Sequence, residues 1–336
     1  MLVFLFVKQN KFDIIKNKIM ENFEIIKNTK LFKNVTKKDN NYINFLKQKI
    51  GSHINKDIAE QMLNFALSKK QSKKISKQIK KDSLKNKTPN QNPIINIVIS
   101  QTGAGKTSVS NLIQNSQLNT IFIDTDIYKK YNPLTDLILK YCPTYFGYLT
   151  GLDCYLHRDY IYDYAVKNKY NILIEVTPST KDGLFNIDFN LLQSKGYKII
   201  LNVLAVSKIN SLISVHERYE NQINQNSKTP KLTDINRAVD SFVAVEQLLN
   251  NIKFSDNVII NLYKRIQDVA ECVYQNVDKN NYVKNLNILQ NEDKVQTLQT
   301  LQSRINSITK SMQNRNASPN QILQFEQIQK IINQDV

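Results

Sequence analysis

Apolar and polar positions follow two rhythms along this chain. Short, nearly unbroken runs of Ile, Val and Leu at Ile94–Ile99, Thr120–Asp124, Asn171–Glu175, Lys198–Val206 and Asn257–Leu262 read as strands covered on both faces. The segments between them carry apolar residues at helical spacing, as in Ile235, Ala238, Val239, Phe242 and Val243. Such alternation predicts an α/β, three-layer domain with a mostly parallel five-stranded sheet, whose ligand crevice lies beyond the carboxyl ends of the strands. Residues 8–67 read as short amphipathic helices with Asn/Lys-rich joints. After residue 266 the chain is Asn/Gln-rich and helical. Leu298, Leu301, Ile305, Ile308 and Met312 sustain a 3,4-type spacing for only about two heptads, too few for a coiled coil, so packing against the core or a loose tail is expected. The expected organisation is a helical N-terminal segment 1–67, a basic linker 68–93, the α/β core 94–266 and a helical extension 267–336.

Directly after the first strand stands Ser100-Gln-Thr-Gly-Ala-Gly-Lys-Thr-Ser108, and the helical pattern Val109, Leu112, Ile113 follows. A loop in this strand-to-helix context is a candidate phosphate cradle. Successive backbone N–H groups must curl around phosphate oxygens, which a Cβ would obstruct, and the new helix aims its positive end at the same anion. Gly103 and Gly105 supply that freedom, and Ser100, Gln101, Thr102, Ala104 and Ser108 complete the loop. Lys106 has the reach for the β- and γ-phosphates, and the Thr107 hydroxyl is the type of ligand that holds a bridging Mg²⁺. Ser100 stands where the strict G-x-x-x-x-G-K-[ST] pattern has glycine.

With 46 Lys+Arg against 29 Asp+Glu over 336 residues, the net charge of +17 raises the question of a polyanionic partner. Much of the excess is local, in Ser68-Lys-Lys-Gln-Ser-Lys-Lys-Ile-Ser-Lys-Gln-Ile-Lys-Lys81 with Lys85 and Lys87 beyond it. A lysine run is either a solvated helix face or linker, or an anion contact. The absence of aromatics from 68–93 counts against single-stranded nucleic acid. Cys142, Cys154 and Cys272 are odd in number and too scattered for a zinc site or a disulfide framework, which fits a reducing, cytoplasmic setting. The opening Met1–Val7 is apolar but short and lacks the flanks of a signal peptide, no later run approaches spanning length, and Met20 offers a second start.

Phosphoryl transfer needs a metal organiser and a base near the γ-phosphate. Two strand ends supply carboxylates, Ile121-Phe-Ile-Asp-Thr-Asp126 and Ile172-Leu-Ile-Glu-Val-Thr177. Asp124 or Glu175 suits the Mg²⁺ shell. Asp126, one step further into the loop, either accepts a proton from a substrate hydroxyl or caps the next helix. Arg218, in the helical stretch Ser211–Glu220, is either a fork for phosphoryl oxygens or the partner of Glu217 or Glu220. His157 and His216 lack a metal-ligand partner at helical spacing and read as structural.

Together with the loop, the segments Ile123-Asp-Thr-Asp-Ile-Tyr-Lys-Lys-Tyr-Asn-Pro133, Tyr170–Thr177, Lys195-Gly-Tyr197, Val203-Leu-Ala-Val-Ser-Lys-Ile-Asn-Ser211 and Glu217-Arg-Tyr-Glu220 occur in an order that resembles the zeta toxin family, P-loop kinases of bacterial toxin–antitoxin systems. The resemblance covers residues 94–265. It implies a three-layer P-loop kinase domain that uses ATP, with GTP as the alternative, and Mg²⁺ to phosphorylate the 3′-hydroxyl of the amino sugar of UDP-N-acetylglucosamine. A small antitoxin protein would be the partner. Carried over by position, Lys106 holds the phosphates, Asp126 is the base, Arg218 stabilises transferring charge, Thr107 and Glu175 serve the Mg²⁺ shell, and Asp159, Glu175 and Thr177 contact the sugar nucleotide. The chain departs from the family at Asp159, where glutamate is usual, and at Glu175-Val-Thr-Pro-Ser179, where flexible glycines are usual. It also lacks a second phosphate-binding arginine before Thr229-Pro-Lys231, where Lys228 lies nearby without a guanidinium fork. Two other readings stay open: a nucleoside or polynucleotide kinase, and a nucleotide-binding protein without catalysis that acts through a partner.

Overall fold

The computed structural model describes residues 20–51, 54–181, 187–227, 230–251, 258–266, 269–278 and 281–335. The opening Met1–Val7 and Lys228 lie outside these residues. The chain divides into two compact units, Met1–Lys81 with Thr125–Tyr160, and Asp82–Asp124 with Ile161–Val336.

The second unit is built on a six-stranded sheet. Strands β1 (Ile94–Ile99), β2 (Thr120–Ile123), β3 (Asn171–Val176), β4 (Lys198–Ala205), β5 (Val258–Ile266) and β6 (Val269–Tyr274) stand in the order β2-β3-β1-β4-β5-β6. The first five pair in parallel, in registers such as Ile95↔Ile172, Ile97↔Leu201 and Leu201↔Ile260. Strand β6 pairs antiparallel to β5 and corrects the expected count of five. Its sequence Val-Ala-Glu-Cys-Val-Tyr has one fully covered residue, Ala270, so an apolar-run criterion passes over this edge strand. The apolar runs of β1, β3 and β4 are buried because sheet and helices close over them. Three buried or half-buried asparagines satisfy one another across the sheet: Asn261 Nδ2 donates to Asn202 Oδ1 at 3.1 Å, and Asn202 Nδ2 to Asn96 Oδ1 at 3.2 Å.

In the other unit, α1 (Lys30–Val35), α2 (Asn40–Lys47) and α3 (Lys56–Phe65) form the expected short amphipathic helices. Asp39 caps α2 by accepting from the Tyr42 N–H at 2.7 Å. Within the stretch 68–93, expected as a basic linker with a solvated helix face as one reading of its lysines, stands the helix α4 (Lys69–Ser83). Ser72, Ile75, Ser76 and Ile79 recur at helical spacing and give it a buried face, while Lys69, Lys70, Lys73, Lys74, Lys77 and Lys81 face solvent.

Helix α5 (Lys106–Ser116) follows β1 and packs Val109 and Ile113 against Val98, Leu173 and Leu204 of the sheet. The short α6 (Thr125–Tyr128), α7 (Thr135–Tyr141) and the long α8 (Phe146–Lys167) follow β2, and α9 (Phe189–Ser194) precedes β4. Helices α10 (Lys208–Asn224), α11 (Ile235–Asn251), α12 (Tyr282–Asn314) and α13 (Pro319–Asp335) share a second core. Ile209, Leu212 and Ile213 of α10 meet Ile308 and Met312 of α12 and Phe325, Ile328 and Ile332 of α13. The C-terminal extension therefore packs on the α/β core and is not a loose tail. No described helix is long and apolar enough to cross a membrane.

Candidate phosphate-binding site

The loop after β1 is fastened before it curls. Ser100 and Gln101 are fully buried. The Ser100 hydroxyl donates to Leu204 O at 3.0 Å and Gln101 Nε2 to Val206 O and Ser211 Oγ, both at 2.6 Å. Where the strict pattern has glycine, Ser100 thus ties β1 to β4. The Thr102 N–H donates to Ser241 Oγ of α11 at 3.0 Å. Gly103 has φ +87°, and a Cβ there would stand 2.2 Å from Ser211 O, so both conformation and space require glycine. Gly105, φ +93°, is the N-cap of α5, and no side chain caps that helix. Its first amides are therefore the orphan donors that bind anions at a helix N-terminus.

Lys106 Nζ donates to Ser100 O and Gln101 O, each at 3.2 Å. Burial pushes its pKa down to about 8. The Glu175 carboxylate opposes that shift, and the charges of Lys231, Arg218 and Arg237 add to it. Lys106 thus senses three further cations beside the Glu175 carboxylate, surroundings that suit an incoming polyanion. Glu175 sits at the end of β3, in register with Val98 of β1. Arg218 Nη2 donates to Thr233 Oγ1 at 3.2 Å. The salt-bridge alternative for Arg218 meets competition: Arg304 of α12 engages Glu217, with Nε to Oε1 at 2.7 Å, and Arg315 engages Glu220, with Nη2 to Oε1 at 2.6 Å. Arg237 donates to Thr177 O at 2.7 Å and Pro178 O at 2.8 Å and pairs with Asp240 at 3.1 Å, which fixes the turn after β3 where the family's glycines are absent.

Lys106, Thr107, Glu175, Thr177 and Arg218 belong to this unit, on or just after β1, β3 and β4. Among the described residues no group of three or more His, Cys, Asp or Glu could hold a metal by itself. A Mg²⁺ on Thr107 and Glu175 would need phosphate oxygens and water to complete its shell, which is its usual habit.

Asp126 and Asp159 belong to the other unit. Asp126 lies in the first turn of the short α6, three residues beyond β2, and Lys129 Nζ donates to its Oδ1 at 2.6 Å. Burial opposes the Lys129 charge, but the Asp126 carboxylate outweighs it and holds the pKa above the ordinary lysine value. Asp159 accepts from Arg158 Nη2 at 2.7 Å and lies 3.5 Å from Lys49 Nζ. His157 and His216 are buried and pushed down to about 4 by burial, in keeping with structural roles. The three cysteines are free thiols.

Sequence reasoning missed Arg237, Arg265 and Arg304. Arg237 carries a visible signal, an aspartate three residues on, at Asp240. Arg265 and Arg304 carry none, because long-range packing alone brings them to the loop and to α10.

Residues 77–302 match the family model named Zeta toxin. The toxin zeta of Enterococcus hirae is 34% identical over 174 residues, and that of Streptococcus pyogenes 34% over 176; each alignment takes in 49% of this chain and 58% of the relative. The chain thus spans less than two thirds of the length of these curated relatives. A solved structure from the PezAT chromosomal toxin–antitoxin system of Streptococcus pneumoniae superimposes with a TM-score of 0.55 at 23% identity, covering 71% of this chain and 97% of that one, which shows a shared fold. The family's match extends from the lysine-rich helix α4 through the sheet into α12, and the chain belongs to the zeta toxin family.

Proposed function

We propose that this protein is an ATP- and Mg²⁺-dependent kinase that phosphorylates a hydroxyl of a sugar nucleotide, UDP-N-acetylglucosamine being the first candidate, and that it is the toxin of a toxin–antitoxin pair in the cytoplasm. The observation that carries this reading is Lys106, held at the mouth of a glycine-bent loop where the charges of Arg218, Lys231 and Arg237 and the Glu175 carboxylate act on it. A triphosphate fits those cationic surroundings. When bound, ATP supplies the γ-phosphoryl group and Mg²⁺ neutralises its oxygens.

The chain's own residues do the rest. The α5 amides and Lys106 orient the phosphates, and Arg218 offsets charge that spreads over the phosphoryl oxygens during transfer. Asp126, beside Lys129, takes the proton of the attacking hydroxyl. Thr177 and Asp159 contact the sugar nucleotide, for which Asp159 exchanges part of its hold on Arg158 and Lys49. A small antitoxin partner and the Lys228 contact are part of the same reading.

Purified protein supplied with ATP, Mg²⁺ and a panel of UDP-sugars should phosphorylate one of them, and Asp126→Asn should lower the rate by about 10²–10⁴-fold, the worth of a positioned base. Nucleotide binding without any phosphorylated sugar would refute the substrate class. The exposed lysines of α4 favour a second reading, a polynucleotide 5′-kinase. End-labelling of oligonucleotides that is lost when those lysines become glutamine would establish it.

A further inference from the structure

Helices α12 and α13 have been given no role beyond packing, yet one of them reaches the phosphate loop through a pair of arginines. Arg265, at the end of β5, directs Nη1 to the carbonyls of Gly103 and Ala104 at 3.4 and 3.5 Å. Its stem lies beside Gly105, where a Cβ would meet Arg265 Cδ at 3.4 Å. Its Nη2 donates to Asn210 Oδ1 at 3.0 Å and Ser214 Oγ at 2.9 Å, both on α10. Arg304 of α12 donates to the same two acceptors, at 2.9 Å to Asn210 Oδ1 and 3.0 Å to Ser214 Oγ, while Glu217 balances its charge. Asp293, also on α12, fixes the Asn210 amide by accepting from its Nδ2 at 2.8 Å and accepts from the Ser207 N–H at 2.8 Å.

We propose that Arg265 is a positioning residue for the phosphate loop and that Arg304, through Asn210 and Ser214, sets where Arg265 stands, so that α12 is part of the nucleotide-binding machinery. The inference rests on the reading of this loop as a nucleotide site. A trans peptide points its N–H opposite its C=O. A guanidinium that draws the Gly103 and Ala104 carbonyls to one side therefore turns the N–H groups of the same peptide planes to the other. A charged donor on a carbonyl also polarises that peptide and strengthens its N–H as a donor. Arg304 lies just beyond the 77–302 stretch that matches the family model.

The test uses the full chain and the variants Arg265→Ala, Arg265→Lys, Arg304→Ala, Ser214→Ala and the Arg265→Ala/Arg304→Ala double, with ATP dissociation constants from calorimetry. Amide exchange of residues 102–107 in the nucleotide-free protein is measured alongside. Arg265→Ala should weaken ATP binding about tenfold, the worth of charged hydrogen bonds. Arg304→Ala and Ser214→Ala should each weaken it about threefold, and the double variant should match Arg265→Ala alone, since both arginines act on one geometry. Lysine at 265 should not restore affinity, because it lacks the fork. Loop amides should exchange faster in Arg265→Ala while the α11 amides do not. Wild-type affinity and unchanged exchange in Arg265→Ala, or full additivity in the double variant, would overturn the proposal. Ser214→Ala leaves both arginines in place and carries the same test should an arginine variant fail to fold. If wild-type protein binds no ATP but Arg265→Ala still speeds loop exchange, the nucleotide reading fails and the positioning role stands.

Discussion

Lys38 and Lys106 are both pushed down to about 8 by burial, and they stand in opposite kinds of company. Lys38 Nζ donates to three backbone carbonyls, Thr36 O at 2.8 Å, Asn64 O at 3.2 Å and Ala66 O at 2.6 Å, with the buried Asp153 as counter-charge. Asp153 in turn accepts the Leu67 N–H at 3.2 Å on each oxygen. Every donor and acceptor in that cluster has an internal partner, so the charge serves the fold. Lys106 donates to two carbonyls at 3.2 Å and senses three other cations against Glu175. A pKa shift of the same size therefore marks structure in one place and a candidate site for negative charge in the other; the kind of neighbour tells them apart.

The comparison is broken most directly by deleting each amine. Lys106→Ala should weaken nucleotide binding by about a hundredfold, the upper range for a charged hydrogen bond. Its melting temperature should hold or rise, since the repulsion between Lys106 and three neighbouring cations is gone. Lys38→Met should do the reverse, costing about 3 kcal/mol of stability by stranding Asp153 and three carbonyls, with nucleotide affinity unchanged. Calorimetric titration and denaturant unfolding of both variants decide it, and equal effects on both observables would erase the distinction.

The sequence made the second of these sites legible and the first invisible. Strand, glycine-paired loop, Lys106, Thr107 and the helix that follows are local, so their order along the chain is also their arrangement in space. The strand ends at Glu175 and the placement of Arg218 after β4 follow from the alternation of strands and helices. Lys38 and Asp153 are 115 positions apart, and no spacing rule joins a lysine in an Asn/Lys-rich joint to an aspartate inside a helix. The same holds for Arg265 and Arg304, whose shared acceptors on α10 exist only after α12 has packed. In the lysine-rich stretch, composition shows the solvated face of α4 and hides the four small or apolar positions that bury the other.

Stability as a function of pH sharpens the contrast with a smaller effect. Burial holds the Asp153 carboxyl up at about 7, against an ordinary value near 3.8. The folded protein therefore binds a proton across that window which the unfolded chain has released. Its contribution to stability is fully present below about 3.8 and is lost as pH rises through 7. His157 and His216, held down at about 4, act with the opposite sign: their contribution is present above 6.5 and lost as pH falls through 4. The difference between wild type and Asp153→Asn isolates the carboxyl, since both proteins share the histidines. That difference should change by on the order of 3 kcal/mol between pH 4 and pH 7, with wild type losing ground as pH rises. Parallel pH profiles for the two proteins would mean that Asp153 is an ordinary ionised partner of Lys38.

Nucleotide affinity carries the mirror-image test at the other lysine. With a pKa of about 8 in the free protein, Lys106 is mostly protonated at pH 7 and mostly neutral at pH 9. A bound triphosphate favours the ammonium and raises that pKa, so the protonated protein is the form that binds. Affinity should be level up to about pH 7 and fall roughly tenfold by pH 9, one decade per unit being the limit for a single proton. The phosphates do not contribute a slope there, since phosphate gives up its second proton near pH 6. Lys106→Arg, which stays charged throughout, should bind with an affinity that does not change from pH 7 to pH 9. Lys38→Met should keep the full wild-type slope, because the proton in question sits on Lys106, among its cationic neighbours. A flat wild-type profile, or a slope that disappears in Lys38→Met, would assign the titration to the wrong lysine.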